Sequence, residues 1–347
     1  MSATASSINR HSFRTSEFRV VAKGLDYPEG PVELPDGSVL VVEVRGGTVK
    51  QVNVLTGAVT TLASPGGGCN GAALGPDGKV YICNDGGFSY QQIPAPGYTL
   101  NIPMFPPANY TGGAIQRLDP STRSIETLFT KDENGVPLSS PDDLVFDADG
   151  GFWFTDWGKL RPGATPMSPQ TRELTHVYYV DRSLSAPKPL LPFRSAPNGI
   201  ALSPDNSRLY VAETYAREVH FWELTGPGAI KRNPDTVDGA YFLTGDIPMQ
   251  GTLDSMAVDS EGNLYLATIL PHGLQINSCG GITVVSPHGK VLEFIELRIP
   301  NQPLDPFPSN LCFGGKDRKT AYITMGGTGL LVSCEMRVAG KPLHFGS

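Results

Sequence analysis

The sequence predicts an all-β chain, a six-bladed β-propeller. Three observations carry this: a phrase that recurs six times, a fixed spacing inside each copy, and no sustained helical period. The phrase is a polar residue, an apolar run, a tight turn, then a β-branched or aromatic run. It reads EGPVELPDGSVLVVE from Glu29, NGAALGPDGKVYICN from Asn70 and DDLVFDADGGFWFTD from Asp142. It returns as NGIALSPDNSRLYVAE from Asn198, DSMAVDSEGNLYLAT from Asp254 and NLCFGGKDRKTAYITM from Asn310. An acidic turn residue follows each leading residue by seven positions, from Glu29/Asp36 to Asn310/Asp317. The leading residues lie 41, 72, 56, 56 and 56 apart, so one short and one long module replace two standard ones. Four-stranded units at about 40–60 residues describe propeller blades.

Each module opens as a hairpin. In Pro35-Asp36-Gly37 the glycine takes the positive φ and the aspartate bonds its own backbone. A third strand follows, as GTVKQVNV from Gly47, GAIQRLDP from Gly113 and THVYYVDR from Thr175. The later copies are REVHFWEL from Arg217, GGITVVSP from Gly280 and GLLVSCEM from Gly329. Phe18–Ala22 is expected to pair with the C-terminal strands and close the ring. A pair of β-sandwiches is the runner-up, but it does not require such regular repetition. Residues 1–15 are expected as a disordered or loosely packed tail, and 16–347 as one propeller domain. Within it, 88–113 is an aromatic, proline-rich insertion with the character of a lid.

Composition narrows the function. The net charge of −7 argues against nucleic acid or an anionic membrane surface as partner. No apolar run reaches the length of a membrane span, and Met1–Arg14 lacks a signal core. The five cysteines are odd in number and lack metal spacing, which suits reduced thiols and a cytoplasmic location. The expected partner is a small molecule, and the expected state a monomer or small homo-oligomer. Gly66-x-Gly68-x-x-Gly71 matches a dinucleotide fingerprint, but Pro76-Asp77-Gly78 follows where a helix would have to begin.

The innermost strand of each blade faces the central channel, so the leading residues converge near the axis. Glu29, Asn70, Asp142, Asn198, Asp254 and Asn310 are three carboxylates and three carboxamides. Carboxylates about 4 Å apart repel by about 4 kcal/mol at an effective dielectric of 20. They must therefore take up protons or bind a cation. All-oxygen donors favour a hard divalent ion on the axis, calcium first, with magnesium, manganese or zinc as alternatives. The opposing reading is a ring that only bonds strand ends and water. Glu43, Asn84, Asp156, Glu213 and Thr268 end the second strands at the same face and suit a supporting layer. His272, after a second-strand end, is either a substrate contact at the mouth or an ordinary loop histidine.

These residues carry a resemblance. Tyr27-Pro-Glu-Gly-Pro31, Pro141-Asp-Asp-Leu144 with Phe154-Thr-Asp156, Pro197-Asn-Gly199, Leu253-Asp254 and Phe313-Gly-Gly315 occur in order at blade spacing. From about Phe18 onward the chain resembles the family of senescence marker protein, gluconolactonase and luciferin-regenerating enzyme. The resemblance implies a six-bladed propeller with one divalent metal, and for many members lactone or phosphotriester hydrolysis. It implies Glu29, Asn198 and Asp254 as metal ligands. Two departures stand out: the family's usual Asn of a Pro-Asn-Asp phrase is Asp142 here, and an Arg found in sugar-lactone members is Ser140.

The leading expectation is a metal-dependent hydrolase opening a cyclic ester, bulky or aromatic rather than a phosphorylated sugar lactone. Asp254 is the expected general base with Asp142 as its rival, and Asn70, Asp142, His272 and Asn310 are expected substrate contacts. The alternatives are a phosphotriesterase, or a metal-dependent isomerase or C–C lyase, on the same site. A non-catalytic interaction propeller with a structural metal is the reading from another class.

Overall fold

The computed structural model describes residues 11–160, 174–193, 196–270 and 278–345. Among them six antiparallel sheets follow one another along the chain, one per repeat. Blade one runs Pro28–Glu33, Val39–Glu43, Thr48–Val52 and Val59–Ala63. The innermost strands of the next five are Cys69–Leu74, Pro141–Phe146, Pro197–Leu202, Thr252–Val258 and Pro308–Gly314. Neighbouring innermost strands pack side by side around the axis. The described helix is a single 3-10 turn, Pro248–Gln250, and no helix is long and apolar enough to cross a membrane.

The ring closes as the sequence predicts. Arg19–Ala22 pairs antiparallel with Leu330–Glu335, with Arg19 opposite Ser333, and becomes the outer strand of blade six. Residues 11–15, expected to belong to a loose tail, are held. Ser12 Oγ and the Phe13 amide donate to Glu293 at 2.6 and 2.7 Å, and the Phe13 ring meets Tyr265 edge-on. Apolar clusters between blades supply the core, with Trp153, Trp222, Tyr210 and Tyr265 essentially unexposed. Such burial stabilises by about 25 cal/mol per Å² of apolar surface removed from water.

The turn acids behave as turn chemistry requires. Asp36, Asp77, Asp205 and Asp317 each accept the amide N–H two residues on. In blades three and five this role moves two residues upstream, to Asp147 and Asp259, whose second oxygens accept the hydroxyls of Tyr179 and Tyr265.

Every innermost strand carries a register shift near its leading residue, between Glu29/Val32, Cys69/Ala72, Pro141/Leu144, Pro197/Ile200, Leu253/Met256 and Pro308/Asn310. Such bulges re-aim a side chain at a strand end. The glycine after three of the ring residues lets the blades close up. A Cβ on Gly30 would stand 2.6 Å from Asn70 O, one on Gly71 2.5 Å from Asp142 O, and one on Gly199 2.8 Å from Asp254 O.

Candidate active site

Five of the six leading residues line one cavity of about 310 Å³ at the channel mouth: Glu29, Asn70, Asp142, Asn198 and Asp254. All five are buried. The sixth is not there. In blade six the register shift falls one step earlier, so Asn310 is already paired with Thr324. Its Oδ1 takes the Leu311 N–H at 2.7 Å, and its side chain interacts with Glu29, favouring that carboxyl's ionised form. Asn310 lines the apolar cavity at the other end of the channel instead. His272 lies outside the described residues.

The supporting layer works through the backbone. Glu43 accepts the Asp26 N–H, Asn84 the Gly68 N–H, and Asp156 the N–H groups of Ser139, Ser140 and Gly158. Each thereby fixes the loop that leads into its own blade's innermost strand, and so the height of the ring residue. Glu213 Oε1 instead lies 2.8 Å from His220 Nδ1, and the hydroxyls of Thr268 and Thr283 bond each other. The Gly66–Gly68 run has a packing reason. A Cβ on Gly67 or Gly68 would collide with the side chains of Asn84 and Asp85.

Electrostatics in the ring are costly. Burial first, then Asp254 and Asp143, hold Glu29 well above the usual carboxylate range. Burial, then Asp254 and Glu29, do the same to Asp142. Burial raises Asp254 to about 8, although a hydrogen bond from Asn198 pulls the other way. Like charges in a low-dielectric site cannot all ionise without a counter-ion.

The donors present fit a hard cation. Asn70 Nδ2 donates to Asp142 Oδ2 at 3.0 Å, and Asn198 Nδ2 donates to Thr214 at 3.2 Å. That orients the remaining oxygens: Asp142 Oδ1 and Asn198 Oδ1 are buried without a partner. Buried oxygens are rarely left so, and a bound ion is one of the standard reasons. Glu29, Asp142 and Asp254 do not each bring an oxygen within 4.8 Å of the other two. Among the described residues the trio that does, Glu213, Glu218 and His220, is built around an imidazole–carboxylate contact.

Above the ring the walls are aromatic and apolar. The insertion 88–113 forms a hairpin, Tyr90–Ala95 with Tyr98–Pro103, between the second and third strands of blade two. Phe88, Gln91, Ile93, Ile102, Pro103 and Met104 bring it onto the cavity. Leu100 and Ile102 pack with Ile269 and Phe307 on the far side, and Tyr98 donates to Leu304 O at 3.0 Å. Trp157 meets Phe88 edge-on at 5.7 Å and Tyr215 at 6.0 Å. Sequence reading missed Tyr27, Trp157 and Tyr215 as lining residues. Trp157 and Tyr215 each stand just past a second-strand end, and that position was the available signal.

The profile described as "SMP-30/Gluconolactonase/LRE-like region" matches residues 27–327. A gluconolactonase of Zymomonas mobilis subsp. mobilis is 25% identical over 329 residues, 89% of this chain and 79% of that protein. Lactonase drp35 of Staphylococcus epidermidis is 29% identical over 233 residues, 67% of this chain and 60% of its own length. Among solved structures, a gluconolactonase of Xanthomonas campestris superposes with a TM-score of 0.67 at 22% identity, covering 92% of this chain and 89% of its own. The calcium-binding regucalcin of Agrobacterium tumefaciens gives 0.65 at 17% identity, covering 95% and 97%. These two show the shared fold. The profile match spans nearly all of the ring, from the blade-one strand that carries Glu29 to the last blade, and the chain belongs to the SMP-30/gluconolactonase/LRE-like family.

Proposed function

We propose that the protein hydrolyses a bulky or aromatic lactone with the help of one divalent cation, calcium first. The observation that supports this most is the pair of partnerless buried oxygens, Asp142 Oδ1 and Asn198 Oδ1, on the floor of an aromatic-walled cavity. Glu29, Asn198 and Asp254 would hold the ion, which supplies Lewis-acid polarisation of the ester carbonyl. The walls of Trp157, Tyr215 and Phe88 bury the substrate's ring and exclude water.

Asp254 takes the proton from the attacking water as general base, with Asp142 Oδ1 as the rival acceptor. The hydroxyl adds to the acyl carbon, the ring C–O bond breaks, and the leaving alkoxide recovers the proton. Asn70 holds Asp142 by its second oxygen and faces the substrate. No arginine lines the cavity among the described residues, and Ser140 is wholly buried, which favours an aromatic lactone over a sugar acid. Chelation followed by a panel of aromatic and sugar lactones tests this. Hydrolysis that vanishes on chelation and returns with calcium supports the reading, and hydrolysis indifferent to chelation overturns it.

The acid at Asp142 favours a second reading, a non-hydrolytic isomerisation or C–C cleavage at the same ring. Oxygen-18 from water entering the product excludes it.

A further inference from the structure

Lys159 is buried more completely than any surface role requires. It is 1% exposed, three residues beyond the end of the second strand of blade three. Its ammonium donates to Gly87 O at 2.9 Å and lies 3.5 Å from Asp85 Oδ1. It sits 3.2 Å from the centre of the Phe88 ring and 5.5 Å from that of Tyr110. Gly87–Phe88 is where the chain leaves blade two for the covering hairpin, and Tyr110 is where it returns. One cation therefore touches both roots.

The roots do not aim themselves. Gly86, Gly87 and Gly112 all take positive φ, at 77°, 90° and 112°, backbone that only glycine adopts freely. Tyr110 is tied to Ser139 O at 2.5 Å, and the loop bearing Lys159 is fixed by Asp156 through the Gly158 N–H. Burying an ammonium is expensive, and a methionine would fill the same volume without that penalty. The compensation here comes first from the Asp85 carboxylate, with Asp156 and Asp142 adding to it at longer range, and from one carbonyl and two ring faces, and both carbonyl and rings belong to the hairpin's roots.

We infer that Lys159 is a positioning residue for substrate capture, fastening both roots of the 88–110 hairpin so that Phe88 stands against Trp157 in the cavity wall. Its kinetic consequence rests on the lactone reading; its conformational consequence does not. A substrate ring that packs on Phe88 gains binding energy only if the wall is already in place.

The test uses Lys159→Met in the full chain. For an aromatic lactone, KM should rise about 10-fold with kcat changed less than about 3-fold, the signature of lost uniform binding. A lactone too small to reach Phe88 should show a KM shift below about 3-fold. Amide exchange across 86–112 should quicken at least about 10-fold while Pro141–Phe146 and Phe152–Asp156 keep their protection. Unchanged exchange across 86–112 overturns the inference, as does a fall in kcat matched by the folded fraction at constant KM. If the wild type opens no lactone, the functional reading fails while the exchange comparison still decides the role of Lys159. If Lys159→Met does not fold, Phe88→Leu removes the ring under the cation; quickened exchange at 86–112 then supports the inference and unchanged exchange overturns it.

Discussion

The two ends of the channel are built from the same six strands, yet one gathers polar residues around a cavity and the other is an apolar seal. At the mouth, Glu29, Asn70, Asp142, Asn198 and Asp254 surround a cavity closed by a hairpin from blade two. Two to four residues along the same strands, Val32, Ala72, Leu144, Leu202 and Val258 line a smaller apolar cavity of about 160 Å³. That end is closed by the C-terminal segment. Lys341 N donates to Val258 O, His344 Nε2 meets Asn206 Oδ1 at 3.0 Å, and Phe345 packs edge-on against Phe146. The difference turns on the bulge in each strand: at or beside it the polar residue faces the mouth, and downstream of it apolar residues line the other end. Charge that would destabilise a core is gathered where a ligand can repay it.

The largest expected effect is at the mouth. Asp254→Asn should lower turnover by about 10²–10⁴-fold, the usual contribution of a general base. Without metal it should leave the melting temperature unchanged or raised, because a carboxyl lifted to about 8 by burial is replaced by a neutral amide. Asp142→Asn separates two roles: lost metal marks a ligand, and lost turnover with full metal marks a base. Metal analysis beside initial rates on both variants checks this. Melting lowered by several degrees in metal-free Asp254→Asn would break the contrast, since the mouth would then be holding the fold together.

At the sealed end the expectation reverses. Leu202 is 1% exposed, and Leu202→Ala should cost about 2–4 kcal/mol, transfer plus cavity. Denaturant unfolding measures the loss, while kcat and KM per folded molecule stay at wild-type values. Changed kinetics at full folding would mean that the two ends communicate.

Asp305 sharpens the comparison with pH, since it is a buried acid at the mouth end that holds backbone instead of ligand. It accepts the Phe307 N–H at 2.9 Å, the Thr328 N–H at 2.6 Å and the Thr328 hydroxyl at 2.7 Å, yet burial still lifts it to about 6. A carboxyl raised in the folded state binds its proton more tightly there than in the unfolded chain. Its favourable contribution is therefore full below the unfolded value near 3.8 and is lost as pH rises through 6. Relative to Asp305→Asn, the wild type should lose about 2 kcal/mol between pH 4 and pH 7. Parallel urea titrations of the two proteins at both pH values read this out. Equal pH slopes would show that the three hydrogen bonds fully offset the burial.

The repeats made blade number, ring closure and five of the ring residues legible, because every copy restates the same strand start and turn. Asn310 was not separable from its fellows by counting: its seven-residue offset to Asp317 is intact, and only the position of the bulge differs. Bulge placement depends on pairing with Thr324, a neighbour no repeat pattern specifies. Lys159 was hidden for another reason. Its partners Asp85 and Gly87 lie more than seventy residues upstream, so the cation looks like a surface lysine until the blades meet. The C-terminal seal likewise has no periodic signal, since it is a single traverse and not a repeat.

Asn310 supplies the smallest and most discriminating measurement. Asn70 and Asn310 begin their repeats with the same residue, but Asn70 Nδ2 reaches Asp142 in the cavity while Asn310 Oδ1 is spent on the Leu311 N–H. Asn310→Ala removes one buried hydrogen bond to backbone and one to Glu29, for about 1 kcal/mol of stability. Because the Asn310 side chain favours the ionised form of Glu29 against the larger effect of burial, the variant's deficit in cation affinity relative to wild type should be greater at acid pH than at neutral pH. KM for a lactone should stay within about 2-fold of wild type, whereas Asn70→Ala should raise it by about 10-fold as a lost substrate-side contact. The two alanine variants, assayed together with metal titrations at two pH values, compare identical residues at identical repeat positions. Equal kinetic losses would show that the ring acts through all six positions, and that the one-step shift of the blade-six bulge has no functional consequence.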